Sequence, residues 1–113
     1  MHRVSLFYTK LFALLRAHSL PAGQGGPIVM AQIENEYGSY GSDKVYLGQL
    51  RDLWRAGLGD GVVIHSTDGP GLGMLLGSKI DGVLNTIDGD PNFSLLRTIQ
   101  PWPQPVMNSE YYT

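Results

Sequence analysis

The apolar positions of the chain first repeat with a helical period. Val4, Phe7, Tyr8, Leu11, Leu14 and Leu15 fall at helical offsets, with Ser5, Thr9, Lys10, Ala13 and Arg16 mostly opposite them. This predicts an amphipathic helix, ended by Pro21 and by Gly23, Gly25 and Gly26. The period then shortens. Pro27 to Ile33 reads as a short apolar strand of the kind buried on both faces of a parallel sheet. Gly38, Gly41 and Ser42 form a loop, and Ser42 and Asp43 cap a helix running through Ala56. Its buried stripe is Tyr46 or Leu47, Leu50, Leu53 and Trp54, and Gly57 and Gly59 end it. Gly61 to Ser66 is a second strand, stiffened by Val62 and Val63. Gly69-Pro70-Gly71 breaks it, and Leu72 to Leu76 is a short helical piece. Ile80 to Thr86 reads as a third strand and Asn92 to Ile99 as a helix. Gln104 to Ser109 enters a fourth strand, led in by Pro101, Pro103 and Pro105, where a missing N–H costs little.

Helix and strand therefore alternate throughout, which predicts an α/β fold with right-handed crossovers and a parallel sheet. Doubly wound sheets and (β/α) barrels both fit that order. Four strands do not close a barrel, and an open four-stranded sheet covered on both faces would make a thin domain. The expectation is that residues 1–113 are part of a larger domain, with 1–24 an amphipathic helix and loop leading into it. Alone, such a piece is expected to be marginally stable, because its outer strands lack partners.

Composition narrows the class. At 42% hydrophobic and 16% charged, with 15 Gly lacking any fixed period, the chain is neither a disordered polyelectrolyte nor collagen-like. It has no apolar run long enough to cross a membrane. Eight Lys and Arg against ten Asp and Glu leave a net charge of -2, so no nucleic-acid partner is expected. The absence of cysteine removes disulfides and thiolate metal sites. A secretory signal is the weaker reading of the amino terminus: Lys10 interrupts the apolar run, and Leu20-Pro21-Ala22-Gly23 is a poor cleavage site.

The chemistry lies in the carboxylates. Glu34, Glu36, Asp68, Asp88, Asp90 and Glu110 all sit at or just past the carboxyl end of an expected strand, the functional rim of parallel α/β folds. Asp68 and Asp90 could equally cap the helices that follow. Glu is a poor cap, so Glu36 and Glu110 favour acid/base work or oxygen-ligand metal binding. No phosphate-binding loop, H-x-x-x-H pair or G-x-S-x-G elbow is present. His65 reads as a satisfied sheet histidine, and Trp54 as packing on its helix.

Two longer blocks go further. Gly25 to Gly41, containing Gln32-Ile33-Glu34-Asn35-Glu36-Tyr37-Gly38, resembles the acid/base segment of family 35 glycoside hydrolases, the β-galactosidases. Pro105-Val106-Met107-Asn108-Ser109-Glu110-Tyr111-Tyr112-Thr113 resembles their nucleophile segment, nearest the animal lysosomal type. Ser66-Thr67-Asp68-Gly69 and Gly82 to Asp88 resemble the strand ends between. The resemblance implies a partial (β/α)8 TIM barrel, with this chain supplying strands four to seven. It implies Glu36 as acid/base, Glu110 as nucleophile, Asn35 at the sugar 2-OH and Tyr112 lining the galactose site, with Glu34 in support. It implies a β-galactoside substrate, no cofactor and no metal. The rest of the barrel and downstream β-rich domains would be its partners in a longer chain, in a lysosomal, vacuolar or extracellular setting. Gly89 departs from the family, whose members usually carry a bulkier residue there.

Retaining hydrolysis through a covalent intermediate is the expected mechanism. A regular strand would turn Asn35 and Glu36 to opposite faces, so both can serve one pocket only if the strand bends or bulges. Two alternatives stay open. One is a catalytically inactive carbohydrate-binding or structural fragment of such a barrel. The other is a divalent-metal hydrolase using Glu34, Asp68 and Asp88.

Overall fold

Apolar stripes and short β-branched runs resolve into alternating helices and strands in the computed structural model, which describes residues 1–19 and 21–112. Thr113, the last residue of the second block, lies outside the described residues, as does Leu20. In chain order the elements are α1 (His2–His18), β1 (Met30–Asn35), α2 (Lys44–Leu58), β2 (Val63–Asp68), α3 (Leu72–Ser78), β3 (Leu84–Asp88), α4 (Phe93–Ile99) and β4 (Asn108–Glu110). Short 3-10 turns at Ala22–Gln24 and Tyr37–Ser39 precede and follow β1. The strands form one sheet in the order β1-β2-β3-β4, every pair parallel.

Burial explains which face the helices take. Ala31, Ile33 and Ile64 pack with Leu50, Trp54 and Leu58 of α2 and Phe12 of α1. Ile87 packs with Leu75 of α3 and with Leu96 and Ile99 of α4. These strand residues share one face, so all four helices lie on the same side of the sheet, as in half of a (β/α)8 arrangement and unlike a doubly wound order. Each fully buried leucine here contributes roughly 1.5–3 kcal/mol. The Asp43 carboxylate starts α2 by accepting the N–H groups of Val45 (2.9 Å) and Tyr46 (3.0 Å).

Three expectations need correction. Each strand begins two to four positions later than its apolar run, and ends one or two positions later, because the ladder continues through polar rim residues whose backbones pair regardless of side chain. Pro27 to Val29 lie outside β1; Val29 is exposed, and Ile28 only bridges to Pro21. β1 is not buried on both faces either: Ala31 and Ile33 are buried under the helices, while Gln32 on the opposite face is exposed. On α1 the buried face runs through Val4, Tyr8, Leu11, Phe12 and Leu15, leaving Phe7 and Leu14 exposed at its edge.

Candidate active site

The β1 rim departs from a regular strand twice: it bulges before Asn35 and leaves the extended conformation at Glu36. Gln32 pairs with His65, yet Glu34 pairs with Ser66 and Asn35 with Thr67, so Ile33 is the extra residue. That parity change leaves Glu34 on the helix side and puts Asn35 on the open face with Gln32. The Gln32 amide donates to Asn35 Oδ1 (2.9 Å), leaving the Asn35 amide N–H groups available to a ligand. Gln32, whose identity alone signals no role, is brought beside Asn35 by the ladder's register. Glu34 accepts the Asn35 N–H (3.1 Å) and a short hydrogen bond from the Tyr46 phenol on α2. Burial, then the Glu34 hydrogen bond and charge, push the Tyr46 hydroxyl well above the usual phenol range.

Glu36 follows in a left-handed conformation (φ 53°, ψ 25°), the one non-glycine residue with positive φ among the described residues. Such a conformation costs about 1–3 kcal/mol and persists only where neighbours impose it. Here they do. The Glu36 N–H donates to Thr67 O (2.7 Å), and its carbonyl accepts the Ser39 N–H (3.0 Å) of the following turn. Gly38, within that turn, donates its N–H to Asp68 Oδ1 (3.0 Å).

β4 carries a matching irregularity. Asn108 pairs with Ile87 and Glu110 with Asp88, leaving Ser109 as the extra residue. Ser109 and Glu110 therefore lie on the same open face. Ser109 Oγ sits 2.6 Å from Thr86 Oγ1 and 2.8 Å from Thr67 Oγ1, and His65 Nδ1 completes the layer 3.4 Å from Thr86 Oγ1. Burial lowers the His65 pKa, which keeps the ring neutral within this hydroxyl layer. The Gly89 N–H donates to Glu110 O (2.9 Å), and the Asn108 amide donates to Gly89 O (2.9 Å). Tyr112 is exposed. Its hydroxyl lies near Gly89, where an added Cβ would stand 3.7 Å from it in ordinary contact, and Gly89 itself has a positive φ of 54°.

The remaining carboxylates separate into different tasks. Asp68 caps no helix: it is fully buried, and its Oδ1 accepts from Gly38 and from Ser78 Oγ (2.6 Å) of α3. Burial pushes its carboxyl up to about 6, opposed by hydrogen bonding to Ser78, Gly38 and Ser66 and aided by the Asp88 charge. Asp90 is exposed and caps nothing either, since Asn92 accepts the Leu95 N–H at the start of α4. Glu34 and Asp68 face the helices while Asp88 alternates to the other face. Among the described residues no three His, Asp or Glu side chains form a metal-holding group, which removes the geometry of the metal-hydrolase alternative.

Glu36 and Glu110 thus end the two outer strands of one parallel sheet, at the rim where such folds place their chemistry. Residues 1–113 match the family model described as Glycosyl hydrolases family 35. The chain belongs to glycosyl hydrolase family 35. It is 46% identical over 124 aligned residues to Beta-galactosidase 1 of Dictyostelium discoideum, covering 97% of this chain and 18% of that protein. It is 47% identical over 96 residues to Beta-galactosidase-1-like protein of Mus musculus (79% and 14%) and 37% identical over 113 residues to Beta-galactosidase 17 of Arabidopsis thaliana (92% and 15%). This family 35 chain spans less than a fifth of the length of those curated relatives.

Proposed function

We propose that this chain supplies strands four to seven of a (β/α)8 barrel that hydrolyses terminal β-galactosides with retention of configuration. Glu110, ionised, attacks the anomeric carbon while Glu36, protonated, delivers its proton to the glycosidic oxygen. Glu36 then takes a proton from water, which releases galactose from the Glu110 ester. Asn35 donates a hydrogen bond to the sugar 2-OH that tightens in the transition state. Tyr112 lines the galactose site, and Glu34 supports the rim through Asn35 and Tyr46. The observation that carries this reading is the pair of bulged outer strands, Glu36 just after one and Glu110 closing the other at the same rim, within a family whose curated members are named β-galactosidases.

Curvature is essential to the chemistry. Three strand steps of about 4.8 Å would hold the ends of a flat sheet roughly 14 Å apart. Retention needs about 5–5.5 Å between carboxyl groups, and inversion about 6.5–9.5 Å. The expectation for the closed barrel is the retaining separation. The test is a chimaera in which residues 1–113 replace the matched segment of the Dictyostelium relative. It is treated with a 2-fluoro-galactoside and digested for peptide mass mapping. A label on Glu110 is expected; a label on Glu36 would reverse the roles, and direct inversion at the anomeric carbon would discard the mechanism.

A further inference from the structure

We infer that Asp68 is a positioning residue for Glu36, holding the turn that carries this carboxylate against the ends of β2 and α3. The inference rests on the reading of Glu36 as acid/base. Two consecutive residues of β2 grip the turn: Thr67 O accepts the Glu36 N–H, and Asp68 Oδ1 accepts the Gly38 N–H two residues on. Asp68 is fixed in turn by Ser78 Oγ at the end of α3. The turn has no slack on that side. A Cβ on Gly38 would fall 1.8 Å from Met74 O, and one on Gly77 would fall 2.8 Å from Gly38 Cα. Lys44 Nζ closes the assembly by donating to Leu76 O and Gly77 O, both at 2.6 Å. The second Asp68 oxygen is buried without a hydrogen-bond partner among the described residues, so the Oδ1 contacts to the turn and to the α3 end are what its carboxylate holds.

This arrangement answers the strain at Glu36. A left-handed glutamate relaxes unless the residues after it are held, and the held atom is the Gly38 amide. Loss of that hold would let Glu36 drift from the glycosidic oxygen, and a displacement of an ångström costs about a hundredfold when proton transfer is demanded. A positioning role therefore predicts a loss that depends on the leaving group. Dinitrophenolate departs without a proton, whereas phenolate needs one.

The test uses the same chimaera, comparing kcat/KM for phenyl and 2,4-dinitrophenyl β-galactosides. D68A is expected to lose about thirtyfold or more on the phenyl substrate and less than about fivefold on the dinitrophenyl one. D68N, which keeps the acceptor oxygen, is expected to stay within about fivefold of the parent on both. Equal losses on the two substrates in D68A would overturn the inference and leave Asp68 a scaffold residue. S78A carries the same comparison if D68A does not fold, with a smaller leaving-group-dependent loss expected and an equal loss on both substrates overturning it. An E36A control separates the two readings: if it shows no leaving-group dependence, the role of Glu36 fails instead. Amide exchange then still decides the grip itself, since Gly38 is expected to exchange at least about tenfold faster in D68A or S78A, and unchanged protection would refute it.

Discussion

The rims of β1 and β4 offer the same residue type at the same end of the same sheet, yet they are built differently. β1 has six residues, and the glutamate that follows it is half-buried, forced into a left-handed conformation and gripped through its turn by β2 and α3. β4 has three residues, and its glutamate is exposed beside exposed Tyr111 and Tyr112. What holds β4 is a seam to β3 and the turn after it, through the Ser109 hydroxyl, the Asn108 amide and the Glu110 carbonyl, with one reach to β2 where Ser109 meets Thr67. Under the proposed roles, an acid/base that must hand over a proton and take one back needs a fixed direction, and the β1 rim supplies one through its turn. A nucleophile would need chiefly to face the anomeric carbon, and the β4 rim is set by strand register and the Ser109 hydroxyl layer.

The largest effect that could break this comparison is removal of each carboxylate from the chimaera. E110A is expected to form no glycosyl-enzyme and to lose on the order of 10⁴-fold or more in kcat. E36A is expected to retain turnover of dinitrophenyl galactoside and to be accelerated by azide, which attacks the intermediate without a general base. Azide acceleration in E110A through the same retained product, or its absence in E36A, would mean that the two rims have their roles exchanged.

How much of this could be read from the residues follows the same division. The strand and helix order was legible because Leu50 and Trp54 repeat at helical spacing while Val62, Val63 and Ile64 form a short β-branched run. The strand ends were not, since Asn35, Asp68, Asp88 and Glu110 carry no apolar signal and join the ladder only through backbone pairing. A bend or bulge at the rim was foreseeable from the need for Asn35 and Glu36 to share a pocket, and the left-handed Glu36 is such a bend. The separate bulge at Ile33 was not, because parity is set by which β2 residue each β1 residue meets. The clamp at Asp68 could not be told from a helix cap: its partners, Gly38 and Ser78, lie 30 residues before and 10 after it in sequence.

A smaller effect sharpens the contrast through pH. Asp68 titrates near 3.8 when exposed and is pushed up to about 6 by burial in the fold. The folded state therefore binds more protons between those values. Its contribution is fully present below about pH 4 and is lost as pH rises through 6, by up to roughly 3 kcal/mol. Asp88 on β3 reinforces the shift, and Lys44 on α2 opposes it. His65 acts with the opposite sign, since burial lowers its pKa and its contribution is lost as pH falls. Comparing D68N with the parent removes the His65 background. D68N is expected to raise the thermal midpoint of the chimaera at pH 7 relative to its effect at pH 4.5. Equal shifts at both pH values would show that Asp68 is not destabilised by burial.

The smallest effect tests whether the β1 rim owes anything to the helix behind it. Asp43 accepts two N–H groups at the start of α2, and its own N–H donates to the Tyr37 hydroxyl (3.2 Å) in the turn after Glu36. D43A removes the carboxylate and leaves the Tyr37 contact, because that contact uses the backbone. The cost is expected to be about 1 kcal/mol, within the 0.5–2 kcal/mol range of such caps, and to appear as a lower denaturant midpoint. The ratio of phenyl to dinitrophenyl turnover is expected to stay unchanged, since the grip on Gly38 comes from β2. A ratio that falls with D43A would show that α2, through Tyr37, also holds the Glu36 turn, adding a third element to the β2 and α3 contacts that grip it.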